Sequence, residues 1–324
     1  MRIGYFLSSE EYTPAQLVDQ ARRAEHADFE ALWISDHFHP WNDEQGQSPF
    51  VWPLIGAISQ VCSLPVTTSV TCPTIRIHPA IVAQAAATAS VLLDGRFVLG
   101  VGSGEALNEH VTGARWPSAT VRLDMLEEAV KVMRKLWSGD FVTHHGAHYT
   151  VENARIYTMP AAPPPVYVSG FGEQSATLAG RIGDGYISTM PDTDLLGTFR
   201  SAGGAGKPTQ AGYKVCWSDD DAAAVATAHR LWANSGLPGE CAQVLPSPRH
   251  FEQLSQLVTP DMTRESIAYG NDVQRHVEAF RPFADAGFDK VYISQMGGTD
   301  PASSVEGFFR FYRDSVLPEL RRLG

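Results

Sequence analysis

Short runs dense in apolar and β-branched residues recur along the chain, and stretches with apolar positions three and four residues apart follow most of them. The first pattern suits a buried strand and the second an amphipathic helix. Residues 3–7 predict the first strand, and Leu17, Ala21 and Ala24 predict the helix after it, with Thr13 as its cap and Pro14 at its first position. Further strands are predicted at 31–35, 65–71, 96–101, 165–169, 185–188, 211–217 and 290–295. Further helices are predicted at 80–93, 121–137, 173–181, 219–234, 271–286 and 303–323. Residues 141–150, around His145-Gly146, predict a small hairpin, and the glycine-rich residues 201–210 predict a mobile loop.

Eight strand units that alternate with helices predict an α/β chain, a (β/α)8 TIM barrel, with insertions near 139–160 and 236–262. No Pro- or Gly-rich linker divides the chain, so residues 1–324 are expected to form a single domain. A doubly wound sheet would carry a glycine fingerprint after its first strand. Here Glu10-Glu11-Tyr12 stands there, and the comparable glycines, Gly100 to Gly104, follow the fourth strand.

Composition narrows the functions. The 324 residues hold 36 acidic and 25 basic side chains, a net charge of −11, which repels nucleic-acid backbones and anionic membrane surfaces. A 44% apolar fraction supports a sizeable core. No run is long enough to span a membrane and no signal peptide opens the chain, so a cytoplasmic location is expected. Cys62, Cys72, Cys216 and Cys241 lack paired spacing, and reduced thiols are expected.

A barrel builds its active site at the carboxyl ends of its strands. Four of those ends are polar: Ser35-Asp36-His37-Phe38-His39-Pro40-Trp41, Ser69-Val70-Thr71-Cys72, Gly102-Ser103-Gly104-Glu105 with Asn108 and Glu109, and Ser169-Gly170-Phe171-Gly172-Glu173. His37 is the leading candidate, because imidazole exchanges a proton near neutrality. Asp36, Trp41 and Glu105 at neighbouring rims strengthen it. His37 and His39 would also serve as metal ligands, but no His, Lys or Asp cluster at the later strand ends completes a shell, and no metal is expected. His144, His145 and His148 read as surface residues of the hairpin.

At Asp36-His37-Phe38-His39-Pro40-Trp41, at His78-Pro79-Ala80-Ile81-Val82-Ala83-Gln84 and at Gly104-Glu105-Ala106-Leu107-Asn108-Glu109, the chain resembles the luciferase-like superfamily. Within it the resemblance is to the coenzyme F420-dependent glucose-6-phosphate and secondary-alcohol dehydrogenase group. It covers residues 3–190 and weakens beyond Thr193. It implies a deazaflavin across the barrel mouth, held by a bulge with a non-prolyl cis peptide at Ser69-Val70 and bounded by Thr71 and Cys72. Asp36, Ser103, Gly104 and Asn108 would line the ring, and Ser169, Gly170, Phe171, Gly172 and Glu173 would carry its phosphate arm at a helix N-terminus, Phe171 departing from the group's small residues.

By the same resemblance His37 is the base at the substrate oxygen, Glu105 the acid and Trp41 the wall that positions substrate. Members that act on sugar phosphates use a threonine and a lysine after the sixth strand. Thr189 matches the first, but Asp192 stands at the second and would repel a phosphate, while Arg264 lies near a later lysine position. The expectation is hydride transfer between F420 and a small neutral alcohol, carbonyl or imine. The alternatives are an F420-dependent sugar-6-phosphate dehydrogenase, a flavin mononucleotide (FMN) dependent monooxygenase, and a barrel that has lost catalysis. A homodimer is expected, since the group is often dimeric and the helix at 121–137 offers an apolar face.

Overall fold

The computed structural model describes residues 1–323. Eight parallel strands form its centre: β1 (Arg2–Leu7), β2 (Leu32–Ile34), β3 (Val66–Thr68), β4 (Phe97–Val101), β5 (Val166–Ser169), β6 (Gly185–Ser188), β7 (Thr209–Cys216) and β8 (Lys290–Gln295). Each pairs with the next in sequence, and β1 pairs in parallel with β8, so the sheet closes on itself. This is a (β/α)8 barrel.

The strands are short and apolar because both their faces are buried. Phe6, Ala31, Trp33, Tyr167, Ile187 and Tyr292 fill the inside of the barrel. Trp33 lies flat on Tyr292, with 4.4 Å between ring centres, and its indole N–H donates to Gln210 Oε1 at 2.6 Å. A Cβ on Gly212 would stand 2.4 Å from the Trp33 ring, so the close approach of β7 to that ring requires glycine. Strand alternation then turns Lys214 inward on the same side as Gln210 and Gly212, one layer nearer the carboxyl rim.

The outer layer holds α1 (Pro14–His26), α2 (Val51–Ser59), α3 (Pro79–Leu92), α4 (Ala119–Leu136), α5 (Glu173–Ile182), α6 (Thr193–Phe199), α7 (Asp221–Trp232) and α8 (Val273–Ala286). Thr13 and Gln16 exchange side-chain and backbone hydrogen bonds in a capping box, which fixes the entry into α1. The apolar face of α4, Leu126, Ala129, Val130, Val132, Met133 and Leu136, is buried within this chain, with α3 as a neighbour. That stripe is therefore consumed by the fold and is not a face left for a second copy.

Several elements differ from the sequence expectations, and α6 is among the helices that were not expected. Helix α2 was not expected, although Val51, Leu54, Ile55 and Ile58, which it buries, recur at helical spacing; Pro53, Gly56 and the apolar residues on its other faces mask that period. The glycine-rich stretch is packed rather than loose. Residues 200–204 form a wide helical turn in which Gly203 has φ +106° and a Cβ on Gly204 would meet the Phe199 ring at 2.5 Å; β7 then begins at Thr209. The hairpin spans Val142–His145 and Thr150–Ala154, and its His144 is buried on Glu128, which also accepts backbone N–H bonds from Ala147, His148 and Tyr149. His145 and His148 are exposed, as expected.

Candidate active site

The carboxyl ends of β1, β2 and β4 converge on His37. Its Nδ1 lies 3.6 Å from Glu10 Oε1, and its Nε2 lies 4.0 Å from Glu105 Oε2. Glu10 is buried, and its other oxygen accepts from the Ser8 hydroxyl at 2.8 Å and the Ser35 hydroxyl at 2.9 Å. Trp41 packs edge-on to the imidazole with ring centres 5.0 Å apart, and Phe251 backs Trp41 at the same separation. The sequence-predicted trio of His37, Trp41 and Glu105 is thus brought together.

Asn108 ties the β2 and β4 rims. Its Oδ1 accepts the backbone N–H groups of Phe38 at 2.9 Å and His39 at 3.1 Å, and its Nδ2 donates to Glu105 Oε2 at 3.0 Å. His39 turns aside, with Nδ1 2.9 Å from the Leu107 carbonyl. One amide side chain therefore sets where the imidazole loop stands relative to the Glu105 carboxylate.

Asp36 does not reach the open mouth. Its carboxylate is buried and spent on the Thr71 hydroxyl at 2.7 Å and on Arg76 Nη2 at 3.0 Å. Arg76 also gives its backbone N–H to Glu109 Oε2 at 2.8 Å and faces Glu109 Oε1 with Nε at 3.4 Å. Burial raises the Glu109 carboxyl above its usual range, and Arg76 opposes the rise. The hairpin braces this loop, since the Tyr149 hydroxyl donates to the Thr74 carbonyl at 3.0 Å.

Above that network lies the bulge. The Ser69-Val70 peptide is cis, and both residues are partly open. A Cβ on Gly102 would stand 2.7 Å from the Val70 side chain and 3.0 Å from Ser169 Oγ, so the bulge, the Gly102 backbone and the end of β5 form one floor. Ser103, Gly104 and Glu105 border it, partly exposed. Cys72 is buried beside Gly104 and its thiol is pushed well up by burial, which leaves it without nucleophilic character.

The other sites lie further round the rim. Gly172 caps α5 through the Ser175 hydroxyl, while Phe171, Gly172 and Glu173 are exposed. Thr189 is exposed, Arg264 is exposed on the helix Pro260–Ser266, and Asp192 caps α6 by accepting the N–H groups of Asp194 and Leu195 at 2.9 Å. The inserted segment after α7 reaches the mouth: Gln243 accepts from Arg122 Nη2 at 2.9 Å and Glu252 accepts from the Asp43 N–H at 3.0 Å. Sequence reasoning missed Glu10, Glu11, Arg76, Arg122 and Lys214. Only the inward alternation of β7 signals Lys214; the others follow no local pattern.

The family model described as luciferase-like monooxygenase matches residues 1–290. The chain belongs to this family. It is 34% identical over 335 residues, covering 99% of this chain and 98% of the relative, to the F420-dependent glucose-6-phosphate dehydrogenase of Microbacterium testaceum. It is 37% identical over 329 residues, 98% of this chain and 88% of the relative, to the F420-dependent hydroxymycolic acid dehydrogenase of Mycobacterium tuberculosis. A solved F420-dependent secondary alcohol dehydrogenase, in complex with an F420-acetone adduct, superposes with a TM-score of 0.88 at 33% identity, covering 99% of each chain. The likeness to these proteins runs through the insertion after α7, well past residue 190.

Two features of the luciferase-like mouth are compatible with a deazaflavin. The Gly102 backbone lies close against the partly open Val70, and Ser103 and Gly104 border them. A Cβ on Gly172 would meet nothing within 4 Å, so open space lies against the N-terminus of the ten-residue α5. The free N–H groups and dipole of such a terminus suit a phosphate.

Proposed function

We propose that this protein is an F420-dependent oxidoreductase that moves a hydride between the deazaflavin and a small neutral alcohol or carbonyl compound. The observation that carries the reading is His37, set between two carboxylates with an indole beside it, next to the cis Ser69-Val70 floor. The relatives named for F420 dependence support the coenzyme. Val70, Gly102, Ser103 and Gly104 would hold the ring, with Asp36 acting from below through Thr71 and Arg76; Ser169 to Glu173 would hold the phosphate arm.

When bound, the deazaflavin supplies the carbon that accepts or gives the hydride. The chain's own residues manage the proton. Glu10 stands 3.6 Å from Nδ1, beyond a direct hydrogen bond, and its charge favours the imidazole proton there, which leaves the Nε2 lone pair to accept the proton of a substrate hydroxyl. Ser8 and Ser35 keep Glu10 in place. Glu105, held by Asn108, faces Nε2 and would balance charge on the imidazole. Trp41, backed by Phe251, excludes water and limits how substrate lies against His37.

The charges at the mouth support a neutral substrate. Among the described residues there, Arg76 is spent on Asp36 and Glu109, and Arg122 on Gln243 and the Pro117 carbonyl; Lys214 faces Glu10 and Glu11. Asp192 and Asp194 add negative charge near the rim where a phosphate would need a cation. The test is direct. Purified protein mixed with oxidised F420 and a panel of secondary alcohols should bleach the deazaflavin absorbance, and His37→Ala should lose turnover while still quenching F420 fluorescence on binding. Binding of FMN with oxygen consumption, in place of F420 binding, would overturn the reading.

A further inference from the structure

Lys214 is the inward-facing cation of the barrel mouth that the proposed chemistry leaves unused. Its Nζ sits over the Trp232 ring, 4.2 Å from the centre, and 5.4 Å from the centre of Phe6. It forms no ion pair within 4 Å among the described residues, so aromatic faces rather than a carboxylate fix its position. The same Trp232 donates its indole N–H to Glu11 Oε1 at 2.5 Å, and the Gly297 N–H donates to Glu11 Oε2 at 2.6 Å. Glu11 adjoins Glu10, which faces His37. Lys214, Trp232 and Glu11 therefore form one chain of contacts from β7, and the residue before Glu11 in sequence, Glu10, stands beside the imidazole.

We propose that Lys214 is a positioning residue for proton transfer: its ammonium, held over Trp232, favours the charged form of Glu11, whose bonds to Trp232 and Gly297 fix the turn that sets Glu10 against His37. The physical need is plain. Two adjacent buried carboxylates repel one another and are poorly solvated. Burial already lifts the Glu11 carboxyl to about 7, against the pull of Gly297, Trp232 and Lys214. Tyr5, Tyr12 and Cys216 also face Glu11, and burial holds each of them protonated, so they supply no counter-charge. Lys214 is a cation whose charge acts on both carboxylates without pairing directly with either, and desolvation lowers its own proton affinity while Glu10 and Glu11 offset part of the loss. Removing it would let a proton settle on Glu11 at higher pH and loosen the turn that holds Glu10 beside His37 Nδ1.

The inference rests on the proposed function for its consequence but not for its first test. In coenzyme-free protein carrying carboxyl-labelled glutamate, carbon NMR follows Glu11, assigned with Glu11→Gln. Lys214→Met should raise its titration midpoint by about one pH unit, the low end of the effect of a nearby opposite charge, and Lys214→Arg should leave it in place. Nitrogen NMR of His37 in the same samples, at a pH between the two midpoints, should show the Nδ1-protonated form in the native protein and its loss in Lys214→Met. With F420 and an alcohol that turns over, the acid limb of kcat/KM should move up by the same amount, with F420 affinity unchanged. An unmoved Glu11 midpoint, or a moved midpoint with an unmoved His37 tautomer, overturns the role of Lys214. Absence of F420 turnover in the native protein overturns the function instead and leaves both NMR readouts to decide.

Discussion

Replacing Arg76 with methionine is the sharpest probe of the network beneath the mouth. The guanidinium is almost wholly buried and meets two buried carboxylates, Asp36 at 3.0 Å and Glu109 at 3.4 Å, with a further bond to the Asp36 carbonyl at 3.2 Å. Methionine keeps the stem and removes the charge, so both carboxylates lose their counter-ion in a place water does not reach. Removing one partner of such a buried cluster costs about 3–5 kcal/mol, a large share of the roughly 5–15 kcal/mol that holds a domain together. The loss should also depend on pH. A carboxyl whose folded pKa stands above its unfolded value favours the folded state most at low pH and loses that advantage as pH rises through the folded value. Glu109 is already raised with Arg76 present, and without it the rise grows. Urea unfolding of Arg76→Met and the native protein should therefore show the full deficit at pH 7 and a smaller one at pH 5. Arg76→Lys, which keeps the charge but not the fork, should recover part of it. A deficit under about 1 kcal/mol, or one equal at both pH values, would refute the idea that charge at this position supports the floor.

Two further outcomes follow from single contacts. Asn108→Ala removes the amide that links the Phe38 and His39 backbone to Glu105, and should lower kcat by about tenfold to a hundredfold while F420 binding persists; equal kinetics in steady state would remove Asn108 from the proton-handling geometry. His276 is buried between the Tyr312 hydroxyl and the Gly270 carbonyl, and burial lowers its pKa from 6.5 to about 4. Its contribution is present above pH 6.5 and drains as pH falls towards about 4, since the unfolded chain takes up the proton first, in all about 3 kcal/mol. His276→Gln should flatten the stability profile over that window, measured by urea unfolding at a series of pH values.

The chemical rim was legible because each strand end is a short contiguous string, and His37, Trp41, Glu105 and Asn108 announce themselves by type and place. What could not be read was which of them face one another. Asp36 looks like a ligand contact in the sequence, yet Arg76, forty positions on, claims its carboxylate underneath the floor. Glu10 looked like the mere absence of a glycine fingerprint, and only the packing of β1 on β2 puts it beside His37 through Ser8 and Ser35. Asp192 had been read for its charge near a substrate, whereas it also serves as the cap of α6.

The alternating strand and helix pattern by itself determined the barrel, because hydrophobic period and turn residues act locally and eight repeats leave few ways to bury their faces. Tertiary structure alone decided the ordered turn through Gly203 and Gly204 and the partners of the charges at the mouth. Those outcomes depend on what residues distant in the chain bring to the same few ångströms. Burial there makes each unpaired polar group costly, so long-range pairing rather than local preference fixes where the charges rest.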